Sequence, residues 1–335
     1  MIHAAIVGLG RWGRNLVGSV QGRSEQLRFT HAVVRRPDAA RDFATQHGLE
    51  LSSDYGSTLS DARIQAVVLA TPHSLHAGQI IAAAAAGKAV FCEKPLALTR
   101  ADAARAIEAC RRGSVPLGLG YNKRFWPSMR EMKRIVESGA LGEILHVEGH
   151  FSNETTGRFY TGWRSENTES PAGGLTATGV HVLDALIELA GPVRRVSAQL
   201  LGHGSGPEPR DTLTVVIEFV NRVSGILACV RSTPQFWRVH VFGRNGSAEA
   251  LEDTDLVVRM AGAPAQRRTF GGVDALRLEL EAFAHSVTTG APYPIPFDQM
   301  LDGVAALEAI TESLATGGPV VLGKRSGGAH SRGGA

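Results

Sequence analysis

A glycine-rich turn near the amino terminus constrains this fold more than any other feature. An apolar run over residues 2–8 ends in glycine, and the sequence G-L-G-R-W-G at residues 8–13 leads into a segment with helical periodicity. A G-x-G-x-x-G turn between a buried strand and a helix is typical of a dinucleotide-binding βαβ unit. Gly8 permits the tight turn, Gly10 lets the backbone approach a pyrophosphate, and Gly13 allows close helix–strand contact.

Strand and helix patterns then alternate through the first third of the chain. Short apolar runs typical of buried parallel strands recur near residues 27–35, 66–70, 89–92 and 115–119, and helical segments separate them. Right-handed βαβ connections turn such an alternation into a doubly wound parallel sheet. Residues 1–122 are therefore predicted to form a Rossmann domain of the α/β class.

The alternation of strand and helix patterns ends at about residue 122. Seven strand-like segments follow one another between residues 144 and 260 with short turns, and helical patterns flank them. This arrangement predicts a second, α+β domain over residues 123–325 with a mostly antiparallel sheet. The glycine-rich end of the chain, residues 326–335, is predicted to be a flexible tail.

Composition excludes several classes of protein. The 35 basic and 32 acidic residues leave a net charge of +3, too small and too evenly spread to indicate binding to nucleic acid or membranes. The three cysteines form no C-x-x-C pair, and no Cys/His cluster has zinc-ligand spacing, so no metal is expected. Without a leader-like or membrane-spanning apolar segment, we expect a cytoplasmic protein.

The end of the second strand bears on cofactor choice. NAD enzymes place Asp or Glu there to accept hydrogen bonds from the ribose hydroxyls, whereas this chain has Arg35 and Arg36 and no carboxylate before Asp38. An arginine can pair with a 2′-phosphate through charge and bidentate geometry. NADP is therefore favoured over NAD, with Arg35 as the first contact and Arg36 as its helper. The alternative is a solvated pair of surface arginines.

Polar side chains follow three of the predicted parallel strands, where ligands bind in open α/β sheets. The segments are Thr71-Pro72-His73, Glu93-Lys94-Pro95 and Tyr121-Asn122. A lysine facing a partly dry crevice has its pKa lowered by desolvation, so Lys94 is a candidate to exchange a proton with a substrate oxygen. The alternative is an ordinary surface lysine.

The second half adds a glycine-rich entry to a helix. Residues 173–180 precede His181, and Asp184 lies three residues later on the same helical face. His181 is a candidate acid or base. Asp184 either orients its imidazole or is simply a polar neighbour on the helix.

Together these motifs resemble the Gfo/Idh/MocA family, the glucose–fructose oxidoreductase and inositol dehydrogenase group. The resemblance extends to about residue 322. It rests on the segments Gly8–Gly13, Ala70–His76, Glu93–Leu96, Asn122–Phe125, Trp163–Arg164 and Gly179–Asp184.

The resemblance implies a Rossmann domain joined to an open-faced sheet domain that binds substrate and assembles the protein into homodimers or homotetramers. It implies sugars, cyclitols or their keto forms as substrates. Lys94 would contact the reacting hydroxyl, and His181 would serve as acid/base. The expected cofactor-binding residues are Gly8, Gly10, Arg11, Trp12, Gly13, Arg35, Arg36, Thr71, Pro72, His73, His76, Glu93 and Lys94. The expected substrate-binding residues are Tyr121, Arg124, Trp163, Arg164, Thr178 and Asp184.

One departure from the family pattern leaves the reaction open. The family often carries Asp four residues before the histidine, where this chain has Ala177. The leading hypothesis is an NADP-preferring oxidoreductase that transfers a hydride to or from a sugar, cyclitol or related keto compound. The alternatives are redox-neutral glycoside cleavage or elimination, and a non-catalytic NADP-binding regulator.

Overall fold

The structure is a computed structural model that describes residues 1–153, 162–166, 168–202, 210–231 and 233–323. The predicted tail, residues 326–335, lies outside the described residues.

The amino-terminal sheet has six parallel strands in the order β3-β2-β1-β4-β5-β6. This order confirms the predicted doubly wound Rossmann sheet, in which the strand order reverses between β1 and β4. The short strand β3 was not predicted, because three half-exposed residues carry little periodicity. The strands are β1 Ile2–Val7, β2 Leu27–Val33, β3 Glu50–Ser52, β4 Ala66–Leu69, β5 Ala89–Glu93 and β6 Leu117–Gly120.

Five helices connect these strands, and local capping explains where two of them begin. The Asp54 side chain accepts a hydrogen bond from the Ser57 N–H, and the Thr99 side chain accepts one from the Asp102 N–H. The helices are α1 Arg11–Val20, α2 Arg41–His47, α3 Tyr55–Ser60, α4 His73–Ala85 and α5 Arg100–Gly113.

The second sheet has nine strands in the order β14-β13-β12-β11-β7-β10-β9-β8-β15. Every neighbouring pair is antiparallel except β7 and β10, which confirms a mostly antiparallel sheet. The strands are β7 Ile144–Ser152, β8 Val193–Gly202, β9 Arg210–Phe219, β10 Ser224–Val230, β11 Phe236–Gly243, β12 Gly246–Leu251, β13 Asp255–Met260, β14 Gln266–Thr269 and β15 Val320–Val321.

In the described ranges, four further α-helices follow β6: α6 Pro127–Glu137, α7 Val180–Ala190, α8 Ala275–Thr289 and α9 Phe297–Thr316. Helix α8 packs against α1 and the parallel sheet, and its Phe283 ring lies 5.7 Å from the Phe91 ring of β5. The predicted second segment, 123–325, therefore contributes one helix to the layers of the first domain. Helix α9 contacts α5, α7 and β8, so it ties the two sheets together.

No helix in the described ranges is long and apolar enough to cross a membrane.

Candidate functional site

A cavity of about 300 Å³ opens at the carboxyl ends of the parallel strands and is closed by residues of the second domain. Its position is the one expected for ligands of an open α/β sheet. It is lined by Arg11, Trp12, Ala70, Thr71, His73, His76, Glu93, Lys94, Asn122, Lys123, Phe151, Asn153, Trp163, Arg164, Ser170, Ala177, Thr178, His181 and Gln235.

The glycine turn has the geometry that a dinucleotide requires. Gly8 has φ +97°, and a Cβ there would lie 2.6 Å from the Ala70 carbonyl oxygen. A Cβ on Gly13 would lie 2.0 Å from the Gly8 oxygen, so both positions exclude a side chain. A Cβ on Gly10 would meet nothing within 4 Å, which leaves open space where a pyrophosphate would approach the start of α1. These residues fit a dinucleotide.

Arg35 and Arg36 lie just beyond β2 and are exposed. The Gly8 N–H donates a 2.9 Å hydrogen bond to the Val33 oxygen, so the end of β2 adjoins the glycine turn. The nearby Asp38 carboxylate lies 2.5 Å from the Arg41 guanidinium and is itself exposed. Neither arginine lines the cavity.

Residues 162–166 and 168–170 dock on the amino terminus of α4. The Nδ1 atom of His73 lies 2.7 Å from the Glu169 carbonyl oxygen, and the Glu169 carboxylate accepts a 3.1 Å hydrogen bond from the Ser74 N–H. The Trp163 ring meets the His73 ring edge-on, with centroids 5.0 Å apart. Burial lowers the pKa of His73 to about 3, so this histidine is neutral. The second domain is thus attached to the rim of the cavity.

His76 is held between two loops of the first domain. Its Nδ1 atom lies 2.8 Å from the Pro95 oxygen, and its Nε2 atom lies 3.1 Å from the Thr71 oxygen. Burial lowers its pKa. Pro72, between these loops, is the residue that caps α4. His76 therefore lies at the cavity as a neutral side chain that joins the segments after β4 and β5.

Lys94 projects into the cavity directly after β5. Its Nζ atom donates a 2.8 Å hydrogen bond to the Ala177 carbonyl oxygen. Burial lowers the pKa of Lys94 to about 8, and the neighbouring Glu93 opposes the shift. A backbone oxygen therefore accepts the hydrogen bond of this amine at the position where the family often has an aspartate. A substantial fraction of the Lys94 amine is neutral near physiological pH.

Two buried carboxyl groups, those of Glu93 and Glu279, lie near Lys94. Burial raises the pKa of Glu93 to about 7 and raises that of Glu279 well above its usual value. Neither oxygen of Glu279 has a hydrogen-bond partner among the described residues. A buried carboxyl without a cation is neutral, because ionisation in an apolar environment is unfavourable. Glu279 on α8 therefore contributes no negative charge to the cavity.

His181 faces Lys94 across the cavity. The segment Leu175–Gly179 forms one π-helical turn before α7 begins, and such turns are frequent at functional sites. Burial and the nearby Lys94 and Lys123 lower the pKa of His181 well below its usual value. Its buried Nδ1 atom has no hydrogen-bond partner in the described part of the chain. The Tyr121 ring packs against the imidazole with centroids 5.8 Å apart.

The expectation that Arg124 and Asp184 bind substrate needs correction. Arg124 donates to both Asp184 oxygens at 2.6 and 2.7 Å, and its remaining nitrogen donates to Gln299 at 2.7 Å and Glu188 at 3.2 Å. All these groups are away from the cavity lining. Asp184 therefore neutralises a buried arginine rather than orienting His181, and the cluster joins the turn after β6 to α7 and α9.

Lys123, the residue before Arg124, faces the cavity instead. Its Nζ atom lies 3.5 Å from the Trp126 ring centroid, 4.6 Å from that of Phe151 and 5.1 Å from that of Trp237. Burial lowers the pKa of Lys123 to about 7. In a one-turn 3₁₀ helix, the sequence alone does not tell which of two adjacent cations faces a cavity, and for this reason Lys123 was missed.

Most of the other predicted site residues meet at the cavity. Thr178 is there, although its hydroxyl donates to the Gly174 oxygen at 2.8 Å. Arg164 stacks on Trp163 with its guanidinium 4.2 Å from the ring centroid. Tyr121 backs His181 rather than lining the cavity. Sequence reasoning placed Asn122 at a strand end and Lys123 in the segment Asn122–Phe125, but it assigned a binding role to neither. It did not find Phe151, Asn153, Ser170 and Gln235, which come from separate segments without a local motif.

Comparison with known proteins agrees with this architecture. The family described as an oxidoreductase family with an NAD-binding Rossmann fold matches residues 2–121, and the GFO/IDH/MocA C-terminal domain matches residues 129–249. The chain belongs to the Gfo/Idh/MocA family. The predicted resemblance is confirmed, and so is the prediction that this protein is an oxidoreductase enzyme.

Relatives named as inositol and levoglucosan dehydrogenases match 70% or more of this chain. Inositol 2-dehydrogenase 2 of Saccharopolyspora erythraea is 32% identical, over 94% of this chain and 94% of the relative. The levoglucosan dehydrogenase of Pseudarthrobacter phenanthrenivorans is 29% identical over 70% of this chain and 68% of its own. A solved levoglucosan dehydrogenase in complex with NADH and levoglucosan has a TM-score of 0.88 and 22% identity, covering 96% of this chain and 100% of that one.

Proposed function

We propose that this family member is an NAD(P)-dependent dehydrogenase or reductase that acts on a CH–OH group of a sugar, cyclitol or related keto compound. The observation that carries the proposal is Lys94, a buried amine in the same cavity as His181 and beside an intact glycine turn. The relatives named as inositol and levoglucosan dehydrogenases support the substrate class.

The chemistry divides between cofactor and side chains. A bound nicotinamide supplies the acceptor or donor of the hydride. In the oxidation direction, neutral Lys94 accepts the hydroxyl proton of the substrate, and in reduction its ammonium returns a proton to the carbonyl oxygen. A pKa of about 8 suits both tasks near neutral pH. The resemblance implies that His181 is the acid/base. Because its lowered pKa keeps it neutral, we propose instead that it orients the same oxygen by a hydrogen bond.

A pair of lysine variants tests this role. Lys94→Met should lower turnover at least about 100-fold, since general acid–base groups contribute roughly 10²–10⁴-fold. Lys133→Met, at a lysine of helix α6 with a 40% exposed side chain, is the matched control and should be unaffected. Cofactor affinity, measured by fluorescence titration with NADH and NADPH, should stay within about threefold in both variants. Near-full turnover of Lys94→Met would overturn the assignment.

We further propose that NADP is the preferred cofactor, since both exposed arginines follow β2 and no carboxylate occupies that strand end. Arg35→Ser and Arg36→Ser should lower the preference for NADP over NAD by about 10–100-fold, the value of a charged hydrogen bond of roughly 1.5–3 kcal/mol. Arg23→Ser, at another exposed arginine of the same domain, is the control. A wild-type preference for NAD would contradict the proposal.

The domain division and assembly follow from the same architecture. We propose that residues 1–122 and 123–325 serve cofactor and substrate binding respectively, and that the open face of the nine-stranded sheet joins protomers. Val216 and Ile226, adjacent on that face, are 58% and 40% exposed. Val216→Asp with Ile226→Asp should yield monomers in light scattering, whereas Val321→Asp, at an edge strand, should leave the assembly intact.

A further inference from the structure

The cavity contains the half-buried amine of Lys123, which forms no ion pair with a carboxylate among the described residues. The Lys123 Nζ atom lies inside a cage of three aromatic rings, from Trp126, Phe151 and Trp237. Cation–π contacts stabilise a desolvated cation by about 2 kcal/mol, whereas removing an ion from water costs several kcal/mol. The cage alone therefore leaves this charge only partly compensated.

The acidic groups that act on Lys123 do not form an ion pair with it among the described residues. Glu252 and Asp253 act on it through space, yet no described carboxylate lies within ion-pair distance of its Nζ atom. The Glu252 carboxylate accepts a 2.8 Å hydrogen bond from the backbone N–H of Trp237 and a 3.3 Å one from the side-chain amide of Gln235. Lys123 thus faces the cavity without an anion of the described protein.

The side chains that line the cavity include more basic than acidic groups. Its lining includes Arg11, Lys94, Lys123 and Arg164, but Glu93 is its single acidic lining residue among those described, and burial raises the pKa of Glu93 to about 7. The lining histidines are neutral, since their pKa values are lowered. A dinucleotide pyrophosphate at the start of α1 lies beside Arg11 and offsets only part of this excess. The substrate side stays cationic.

Lys123 belongs to the substrate side of the cavity. Its charge lowers the pKa of His181, as does that of Lys94, so the three side chains surround one region. Where the family pattern often has Asp, Ala177 adds no negative charge there. The cavity of about 300 Å³ is at the low end of ligand pockets, which suits a molecule of monosaccharide size beside a nicotinamide ring.

We infer that the substrate is a polyhydroxy acid, a sugar acid whose carboxylate binds the caged ammonium of Lys123 while its reacting hydroxyl faces Lys94. This inference rests on the proposed dehydrogenase function and narrows its substrate class. A carboxylate placed against a desolvated ammonium forms a charge-assisted hydrogen bond, which a neutral sugar hydroxyl cannot match. Neutral sugars and cyclitols would leave the ammonium unpaired and should bind poorly.

Matched substrate pairs test the inference with the full-length protein. We would measure kcat/KM with NAD⁺ and NADP⁺ for glucuronate against glucose, galacturonate against galactose, gluconate against glucitol, and for myo-inositol. Calorimetric Kd values for the same compounds, with reduced cofactor present, give a readout independent of turnover. The acids should be preferred over their neutral partners by about 100-fold, the ratio expected when one buried charged group is satisfied or left unpaired.

The Lys123→Gln variant assigns the preference to one side chain. It should lower the acid-to-neutral ratio of kcat/KM by about 30–100-fold, chiefly through KM, and NADPH affinity and melting temperature report whether the fold is intact. Lys133→Gln, at an exposed lysine, should keep the ratio.

Each other outcome has a distinct meaning. Turnover of neutral polyols with no acid preference would overturn the inference and leave the dehydrogenase function standing. A preference for glucose 6-phosphate over glucuronate would mean that the anionic group of the substrate is a phosphate and not a carboxylate. If no compound is oxidised, the proposed function fails, while tighter binding of acids than of neutral partners would still support an anion site and equal binding would refute it.

Discussion

Two adjacent residues place cations in opposite circumstances: Arg124 is buried in the core, and Lys123 is half-buried at the cavity. The Arg124 guanidinium lies in the core against Asp184, Glu188 and Gln299, with both carboxylate oxygens of Asp184 engaged. The Lys123 ammonium lies at the cavity against three aromatic rings and has no ion-paired carboxylate in the described ranges. One charge is neutralised within the protein, and the other is not.

The difference separates a structural cation from a ligand-binding one. A planar guanidinium suits a fixed cluster because its fork matches a carboxylate and saturates several acceptors at once. A lysine ammonium is a compact charge on a flexible stem, so it is easily presented to a small ligand. Burial without an anion is therefore informative about function, whereas burial with a complete set of partners is informative about folding.

The largest expected effect concerns the structural cation. Arg124→Met leaves Asp184 and Glu188 buried without their partner, and breaking a buried ion pair costs about 3–5 kcal/mol. Chemical denaturation should show this loss, whereas Lys123→Met should change the free energy of unfolding by less than about 1 kcal/mol. A double variant, Arg124→Met with Asp184→Leu, should recover part of the loss. Equal destabilisation by the two single variants would contradict the distinction between a structural cation at Arg124 and a ligand-binding cation at Lys123.

The cofactor half of the site could be predicted from the sequence because it is built from contiguous segments. The turn at residues 8–13 and the segments after β4 and β5 each combine a strand end with polar or glycine residues within a few positions. Because each of these segments is contiguous in the sequence, the parallel sheet and the position of Lys94 at a strand end could both be predicted. Helix α8 was not placed correctly, since nothing in its own sequence tells which sheet it covers.

The substrate half was harder to predict because its residues meet only through tertiary packing. Phe151, Asn153 and Gln235 come from strand ends of the second sheet that carry no motif. Asp184 shares a helical face with His181, yet it is paired with Arg124 from the turn after β6. Spacing along one helix gives a possible contact, but long-range charge pairing decides between the partners.

A charge added at Ala177 provides the second test of the contrast. Ala177→Asp places a carboxylate beside Lys94 and should lower the acid-to-neutral ratio of kcat/KM by about 100-fold, because like charges at a binding surface cost several kcal/mol. The isosteric but uncharged Ala177→Asn controls for size. The added charge also raises the pKa of Lys94, so the pH profile of oxidation should move upward. An unchanged ratio would contradict the placement of a substrate carboxylate in this part of the cavity.

The smallest effect is a pH dependence specific to Lys123. Its pKa of about 7 reflects burial and the charge of Lys94, opposed by Glu252 and Asp253. Because a carboxylate binds only the protonated ammonium, the Kd for glucuronate should rise about tenfold between pH 6 and pH 8 as the ammonium loses its proton. Lys94, with a pKa of about 8, contributes less than a factor of about two over this range. Glu93, with a pKa of about 7, also ionises in the cavity over this interval, so calorimetry on Lys123→Gln should show only the smaller rise in Kd that Glu93 and Lys94 cause. A tenfold rise that persists in this variant would assign the titration to another group.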